Sequence, residues 1–214
     1  MVGVMGSAGM AAAAVRYLRS TGARTAVEPV DPLPRPELRS VGEDERAPVD
    51  QTEFRRVLGN FATGVTVVTA PAATDDGPAG FACQSFSSLS LDPPLVAFMV
   101  GRTSTTWPRI ARAGVFCVNV LAADQGELCR GFAVSGADKF AGVAYDASPA
   151  TGSPRLAGAA AWIDCTIHAV HTGGDHLIVV GRVETLGAAD TRADATQVPP
   201  LLFHRGRFGG FTGV

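Results

Sequence analysis

Most of the last third of the chain consists of segments that favour β-strands, and this feature constrains the fold more than any other. Runs rich in β-branched and apolar residues predict strands over 161–170, 176–186 and 201–204. Gly173-Gly174 separates the first two runs, and such a pair is typical of the tight turn in an antiparallel hairpin. The C-terminal part of the chain therefore predicts consecutive antiparallel strands.

The preceding part of the chain adds strands and only a few short helices. Further strands are predicted over 65–69, 81–90, 95–100 and 115–121. The predicted helices begin at Asp50, Ser104 and Asp124, and end before Gly64, at Ala113 and at about Ala133. Because strands dominate, we expect a mostly β fold, a closed antiparallel barrel with peripheral helices, rather than a doubly wound α/β fold.

Residues 1–49 differ in composition from the rest of the chain. Residues 1–14 are mostly small, and residues 28–48 carry five prolines among scattered charges. Such a segment cannot bury enough apolar surface to offset the entropy of ordering it. We therefore expect a flexible N-terminal extension over 1–49 and one folded domain over 50–214.

Charge and cysteine usage exclude several classes of protein. The chain has 18 basic and 20 acidic residues, so it lacks the basic field that nucleic-acid binding requires. Its four cysteines lie far apart, which predicts buried thiols in a reducing compartment, the cytoplasm. No apolar run reaches the roughly 18 residues of a membrane span.

Neither a metal site nor a common nucleotide or hydrolase motif is predicted. Cys165 and His168 lie three residues apart on a predicted strand, so their side chains point to opposite faces and cannot share a metal ion. The P-loop, the G-x-G-x-x-G fingerprint and the G-x-S-x-G elbow are all missing from the sequence.

The segment 80–94, GFACQSFSSLSLDPP, is unusually rich in hydroxyl groups. Serine hydroxyls and backbone N–H groups can bind a polar ligand without buried cations. The alternative is a surface strand whose serines face solvent while Phe81, Phe86 and Leu89 point inward. The segment alone leaves both interpretations open.

Two shorter motifs also allow a binding role or an ordinary structural one. Ser104 and Thr105 open a predicted helix, where N–H groups favour a phosphate but also commonly receive an N-cap. His176 follows Asp175 at a predicted hairpin tip. In a binding role, His176 would contact a ligand amide or direct a proton. In a structural role, it would be a turn histidine bonded to Asp175.

Several motifs in one fixed order point to a known family. They are G-x3-QSF-SSLSLDPPLV, Ser-Thr, FCVNVL, DKF, GGDH and PLLFHRGRF, spread over about 54–211. This order closely resembles the short-chain flavin reductases of two-component monooxygenases. The resemblance implies a homodimeric, six-stranded split β-barrel that holds FMN or FAD near the subunit interface. It also implies hydride transfer from NADH or NADPH to the flavin, and delivery of reduced flavin to a separate monooxygenase.

The resemblance assigns roles to individual residues of this chain. His176 would contact the nicotinamide as the catalytic residue. The flavin would be held by Cys83, Gln84, Ser85 and Ser88, with its phosphate on Ser104 and Thr105, and with further contacts from Asn119, Lys139, Phe140, Arg207 and Phe208. The family commonly has Thr-Ala-Asn-Ser where this chain has Ala82-Cys83-Gln84-Ser85. The Cys-Gln-Ser version is similar to actinobacterial reductases that serve aromatic and steroid-phenol hydroxylases.

Two other functions compete with the reductase. A pyridoxamine-phosphate-oxidase-like enzyme would need several Arg or Lys residues on its substrate phosphate, which the hydroxyl-rich segment lacks. A non-catalytic flavin- or haem-binding barrel would bind its ligand without oxidising NADH. The proline and charge content of the N-terminal extension also permits docking to an oxygenase.

Overall fold

The computed structural model describes residues 49–73, 77–136, 138–189 and 198–213. The predicted N-terminal extension lies outside the described residues apart from Val49, and every described helix and strand lies within the predicted domain. The helices are α1 (Gln51–Leu58), α2 (Trp107–Ala113) and α3 (Gly126–Ala133). The strands are β1 (Thr63–Gly64), β2 (Thr66–Ala70), β3 (Ala79–Cys83), β4 (Ser87–Leu91), β5 (Pro94–Gly101), β6 (Val115–Val120), β7 (Tyr145–Ala147), β8 (Pro154–Leu156), β9 (Ala161–Gly173), β10 (His176–Ala188), β11 (Leu202–His204) and β12 (Arg207–Gly209).

One antiparallel sheet dominates the fold, with strand order β3-β2-β6-β9-β10-β5-β4. The prediction of a mostly β protein with peripheral helices is confirmed. The sheet has seven strands, however, and no ladder among the described residues joins β3 to β4, so the predicted closed, six-stranded barrel is not observed. The reason lies in the predicted strand 81–90, which is two strands, β3 and β4, at opposite ends of the sheet.

The sheet nevertheless curls around one hydrophobic core. Phe116 on β6 and Phe98 on β5 belong to strands three positions apart, which in a flat sheet would be about 14 Å apart. Their ring centroids lie 5.2 Å apart in an edge-to-face contact. Phe81 on β3 also packs against Phe98, at 5.9 Å. Strands near both ends of the sheet therefore share one core.

A second hydrophobic cluster lies between the sheet, α3 and the C-terminal segment. Val65 and Leu121 from the sheet side contact Phe132 of α3 and the fully buried Leu201. Phe208 of β12 packs on the edge of this cluster. These contacts fix α3 and the β11–β12 hairpin beside the sheet, where they form one side of the cavity described below.

The β9–β10 hairpin turns one residue later than the sequence predicts. Gly173 pairs with His176 across the ladder, so the turn residues are Gly174 and Asp175. Gly174 has φ +67°, a left-handed conformation that glycine adopts without strain. His176 is consequently the first residue of β10.

The predicted start is confirmed for the first helix, whereas the second and third helices begin two to three residues later than predicted. Asp50 caps α1 by accepting hydrogen bonds from the backbone N–H groups of Thr52 and Glu53, at 2.9 and 3.1 Å. The next helix starts at Trp107 rather than Ser104, and the third starts at Gly126 rather than just after Asp124.

The four cysteines are free, buried thiols, as predicted. Burial raises the pKa of each of them, and it raises that of Cys117 to about 12. The described residues hold no group of three metal-ligating side chains. None of the described helices is long and apolar enough to cross a membrane.

Replacing Gly181 with alanine should lower the free energy of unfolding by about 1–3 kcal/mol, because the core has no room for the added methyl group. A Cβ atom there would overlap the tip of the fully buried Phe116 ring and lie 3.3 Å from Cβ of Cys165. Urea unfolding followed by circular dichroism measures the change. Gly131→Ala on α3 is the control, since nothing lies within 4 Å of its added Cβ. Equal stability of both variants would contradict this account of the core.

Candidate active site

A cavity of about 720 Å³ collects most of the side chains that the sequence singled out. We call it the main cavity. It lies where the ends of β3 and β5 meet α3 and the C-terminal hairpin. The predicted site residues that line it are Cys83, Gln84, Ser85, Ser104, Thr105, Lys139, His176 and Phe208.

The register of the sheet explains why these distant segments meet. Gly101, the last residue of β5, pairs with His176, the first residue of β10. The turn after β5 then carries Ser104 and Thr105 along the cavity wall. The curl of the sheet brings the end of β3, with Cys83, to the other side of the same opening.

Ser85 fastens the loop after β3 to the edge of β5. Its hydroxyl accepts a hydrogen bond from the N–H of Met99 at 2.9 Å and donates to the carbonyl of Met99 at 3.0 Å. It thus pairs with both backbone groups of Met99, as a neighbouring strand would. The Cys83 Sγ atom lies 3.2 Å from the same hydroxyl. Since the serine proton is used on Met99, the thiol is the donor, and Ser85 Oγ is saturated.

Cys83 forms a neutral part of the cavity wall. It is only 5% exposed, and burial raises the pKa of its thiol, an effect that the hydrogen bond with Ser85 partly offsets. A thiol of this kind is a poor nucleophile. Cys83 therefore supplies shape and a weak hydrogen bond rather than a reactive group.

Ser104 has a structural role in the turn before α2 and also lies beside the main cavity. Its hydroxyl accepts a hydrogen bond from the N–H of Trp107 at 3.2 Å, so it closes the turn that leads into α2. It also lies on the wall of the main cavity beside Thr105 and Thr106. Three consecutive hydroxyl residues thus face one side of the cavity.

Lys139, the only lysine of the chain, lies at the inner end of the main cavity. Its ammonium group donates hydrogen bonds to the carbonyls of Phe132 and Gly80, at 3.0 and 3.2 Å. Burial lowers the pKa of Lys139, and the nearby charge of Arg109 lowers it further. The hydroxyl-rich segment suggested a site without cations. Lys139 and Arg130 both line the main cavity, so the site does contain cations.

His176 stands at the rim with one ring nitrogen engaged. Nδ1 lies 2.7 Å from a carboxylate oxygen of Asp175, and this hydrogen bond, with the histidine's charge, lowers the pKa of Asp175. The pairing leaves Nε2 on the side of Gly101 and Thr103, which both line the main cavity. The histidine is therefore a turn histidine bonded to Asp175 and also a cavity residue.

Four predicted binding residues, Ser88, Asn119, Phe140 and Arg207, do not line the main cavity. Asn119 is fully buried. Its amide donates to the carbonyl of Val67, and its side-chain oxygen accepts from the N–H of Leu156 at 2.8 Å. It is a core residue that ties strands together. Ser88 is exposed on β4 and does not line the main cavity.

Arg207 and Phe140 each belong to a neighbouring cavity. Arg207 lines a cavity of about 680 Å³ at the β11–β12 hairpin, the C-terminal cavity, whereas Phe208 lines both this cavity and the main one. Phe140 lines a cavity of about 420 Å³, which we call the side cavity. Alternation along β12 explains the separation of Arg207 from Phe208.

Sequence reasoning missed part of the main cavity, notably Arg130, Phe132 and Phe203. The guanidinium of Arg130 lies 5.2 Å from the ring centroid of Phe208, a distance typical of a cation–π contact. No short motif links these residues, since α3 and the C-terminal hairpin lie about 70 residues apart in the sequence. The spacing of residues along a single sequence therefore does not indicate that they meet.

Replacing Ser85 with alanine should lower the free energy of unfolding by about 1 kcal/mol, because the N–H and carbonyl of Met99 both lose a partner. Chemical unfolding in urea measures the effect, and faster amide exchange at Met99 locates it. Ser88→Ala is the matched control, since Ser88 is an exposed serine on the next strand. If Ser85→Ala leaves the exchange of Met99 unchanged, the loop is not held by this hydroxyl.

Comparison with known proteins agrees with the geometry of the site. Residues 58–212 match the model of the flavin reductase like domain. The reductase subunit HsaB of a flavin-dependent monooxygenase from Rhodococcus jostii is 49% identical over 163 residues, which are 76% of this chain and 78% of that protein. Among solved structures, nitrilotriacetate monooxygenase component B from Mycobacterium thermoresistibile is 46% identical with a TM-score of 0.69, covering 76% of this chain and 87% of that one. The NADH:FAD oxidoreductase SgcE6 of Streptomyces globisporus, solved with NAD and FAD fragments, is 39% identical with a TM-score of 0.68, covering 76% and 93%. The chain belongs to the flavin reductase family.

Proposed function

We propose that this protein oxidises NADH or NADPH, reduces FMN or FAD in the main cavity, and passes the reduced flavin to a separate monooxygenase. The observation that carries the proposal is the main cavity itself. It joins apolar walls to a row of hydroxyl groups and opens beside His176. The names of the related reductases support the same chemistry.

The cavity suits a flavin in both shape and polarity. Phe81, Phe203 and Phe208 give it apolar surface, which matches the flat ring system. Gln84 and the backbone of the adjoining loop offer neutral hydrogen bonds to the ring edge, and Ser104 with Thr105 offers them to the phosphate. A volume of about 720 Å³ lies within the usual range for such ligands.

When bound, the flavin accepts a hydride from nicotinamide C4 and a proton from solvent, so that NADH becomes NAD⁺ and the flavin is fully reduced. The chain's own contribution is to position the two reactants. Asp175 fixes the ring of His176 through Nδ1, and Nε2 remains to contact the nicotinamide amide. The saturated hydroxyl of Ser85 holds the loop that forms the cavity wall. We therefore assign Ser85 a positioning role and His176 direct contact with the donor.

The two competing functions receive less support. An oxidase acting on a phosphorylated substrate would place several cations around one phosphate, whereas hydroxyl residues form this wall of the main cavity. Relatives that are named as reductases favour a catalytic protein over a non-catalytic binding protein.

We also propose that the curled sheet of domain 50–214 is a split barrel, because strands from both of its ends share one core. We further propose that the protein acts in the cytoplasm, where its buried thiols remain reduced.

The proposed activity is tested by following NADH oxidation at 340 nm with and without added FMN or FAD. We expect turnover that saturates with flavin. His176→Ala should raise KM for NADH about tenfold, the effect of one lost hydrogen bond, with little change in KM for flavin. His168→Ala is the control, since that histidine is exposed on β9 outside the cavity. Flavin binding without NADH oxidation would reject the reductase in favour of the binding protein.

We further propose that the protein is a homodimer in which a second copy covers the edge of the sheet at β4. Leu89 and Leu91 on this edge strand are 55% and 94% exposed, and Met99 on the adjacent strand is 43% exposed. An uncovered apolar edge strand invites pairing or aggregation. A second copy would bury these side chains close to the cavity wall.

Leu91→Glu should convert the dimer to a monomer, because it would place a charge inside the apolar contact. Sedimentation equilibrium measures the molecular mass of both forms. Leu186→Glu is the control, since Leu186 is 65% exposed at the far end of β10. A monomeric wild-type protein, or a variant that remains dimeric, would contradict the proposed contact.

A further inference from the structure

The C-terminal cavity carries three basic side chains, and no described residue of its lining is acidic. His204, Arg205 and Arg207 line it at the tip of the β11–β12 hairpin. The other lining residues are Ala62, Leu202, Phe208, Gly209 and Gly210. Positive charge is therefore concentrated here, although the whole chain has a net charge of -2.

The three basic side chains are exposed and are not neutralised by a carboxylate of the described residues. Arg205 donates from Nε to the side-chain oxygen of Asn60 at 2.9 Å, and an amide oxygen carries no charge. The side chains of His204 and Arg207 make no hydrogen bond or ion pair within the part of the chain that the structure describes. The hairpin tip therefore suits an acidic partner.

The hairpin tip is tied to the end of α1. The side-chain amide of Asn60 donates to the carbonyl of Val57 at 2.9 Å, while its oxygen accepts from Arg205. The backbone N–H of Arg205 also donates to the carbonyl of Gly59 at 3.1 Å. These bonds place the basic tip directly beside the last turn of α1.

One face of α1 is apolar and uncovered. Phe54, Leu58 and Phe61 follow one another at helical spacing and are 55%, 54% and 77% exposed, and Val57 beside them is 50% exposed. Ala62, the residue after Phe61, lines the C-terminal cavity. The apolar face of α1 and the basic tip of the hairpin thus form one continuous surface, the α1–hairpin surface. Contiguous exposed apolar groups of this kind mark a contact site.

The segment that precedes α1 in the sequence has matching chemistry. Residues 43–45 are Glu-Asp-Glu, and Ala47-Pro48 follows after a single arginine, so residues 43–48 have a net charge of -2. The described part of the chain begins at Val49, which is 69% exposed. A chain that turned back along α1 from this point would bring its apolar residues to the helix first. Its acidic residues would follow, toward the hairpin.

The length of the segment also fits the surface. The ten-residue step from Asp50 to Asn60 rises by about 15 Å in helical geometry. Five extended residues, from Glu45 to Asp50, span about 17 Å. Pro48 favours an extended conformation at the residue before it. An extended segment that returns along α1 therefore reaches the hairpin at Glu45.

We propose that residues 43–48 dock onto the α1–hairpin surface of their own chain. Glu43, Asp44 and Glu45 meet the basic side chains of the hairpin, and Ala47-Pro48 lies on the apolar face of α1. The docked segment closes the C-terminal cavity on the side away from the main cavity, with which it shares Phe208. This docking does not depend on the proposed reductase activity.

A second copy of the chain fits the α1–hairpin surface less well than this segment does. A two-fold symmetric contact uses the same surface patch on both copies. It would therefore bring two basic hairpins into one interface, where their charges repel. The acidic segment instead supplies the opposite charge, and its attachment at Val49 keeps it at high local concentration.

Disulfide capture in the full chain tests the docking. Asp44→Cys is combined with Arg207→Cys, and a glutathione redox buffer is expected to link the two positions within one chain. The four native cysteines are free and buried, so they do not compete. Asp44→Cys with Thr52→Cys is the control pair. Thr52 is nearer along the sequence and exposed, but it lies on the face of α1 opposite to Phe54.

The hairpin pair should close about tenfold faster than the control pair, the gain from the two ion pairs that Glu43 and Glu45 still make. Glu43→Gln with Glu45→Gln should remove this advantage and leave the control pair unchanged. Raising NaCl to about 1 M should have the same effect, because it screens exposed charges. Thermal unfolding of the reduced variants shows that each is folded.

Mixing labelled and unlabelled chains before oxidation distinguishes docking within a chain from docking between chains. Mass spectrometry should find disulfides only between peptides of the same isotopic label. Disulfides between labelled and unlabelled peptides would place the segment on a second copy and overturn the proposal. Equal rates for the two cysteine pairs, or an advantage that survives removal of the acidic charges, would overturn it as well. NADH oxidation is not measured, so failure of the proposed function would leave these outcomes unchanged.

Discussion

The contact between Phe98 and Phe116 is the interaction on which the rest of the structure depends. The two rings come from strands on either side of the β9–β10 pair, and they can meet at 5.2 Å only if the sheet curls inward. Gly181 on β10 lies beneath them without a side chain, which leaves room for the tip of the Phe116 ring. The curl then brings β3 near β5, although no backbone ladder joins the two strands. The position of the cavity thus depends on core packing as well as on the strand pairing that joins Gly101 to His176.

The incomplete closure of the sheet is what leaves space for a ligand. The pairing of β4 with β5 ends at Ser87 and Ala97. Met99 lies two residues further along β5, where its backbone N–H and carbonyl would otherwise be unpaired on the free edge. Ser85 satisfies both groups with one hydroxyl. A side chain thereby replaces a strand, and the gap beside it is open to the main cavity. A fully paired edge at this point would satisfy the same groups but would place a further strand beside the wall of the main cavity.

The sequence allowed most strands, the Asp50 cap and a large part of the site to be predicted, because these depend on local patterns and on ordered motifs. The errors arose where tertiary contacts decide. The segment 81–90 has the composition of one strand, but the bonds of Ser85 bend it into two. Asn119 looks like a binding residue in its motif, yet its amide is used up inside the core. Arg130 was not predicted to line the flavin site, since its partner Phe208 lies on a distant hairpin.

The distribution of charge in the site reconciles orientation with release. Hydride transfer requires close positioning of two ring systems, whereas delivery to a second enzyme requires that the flavin leave after each turnover. Most side chains that line the main cavity are neutral hydroxyl, thiol or apolar groups, and Arg130 and Lys139 add two cations to them. Lys139 donates hydrogen bonds to the carbonyls of Phe132 and Gly80, and these bonds keep its ammonium group in place with or without a ligand. Because such groups are already oriented, little ordering is needed on each binding event.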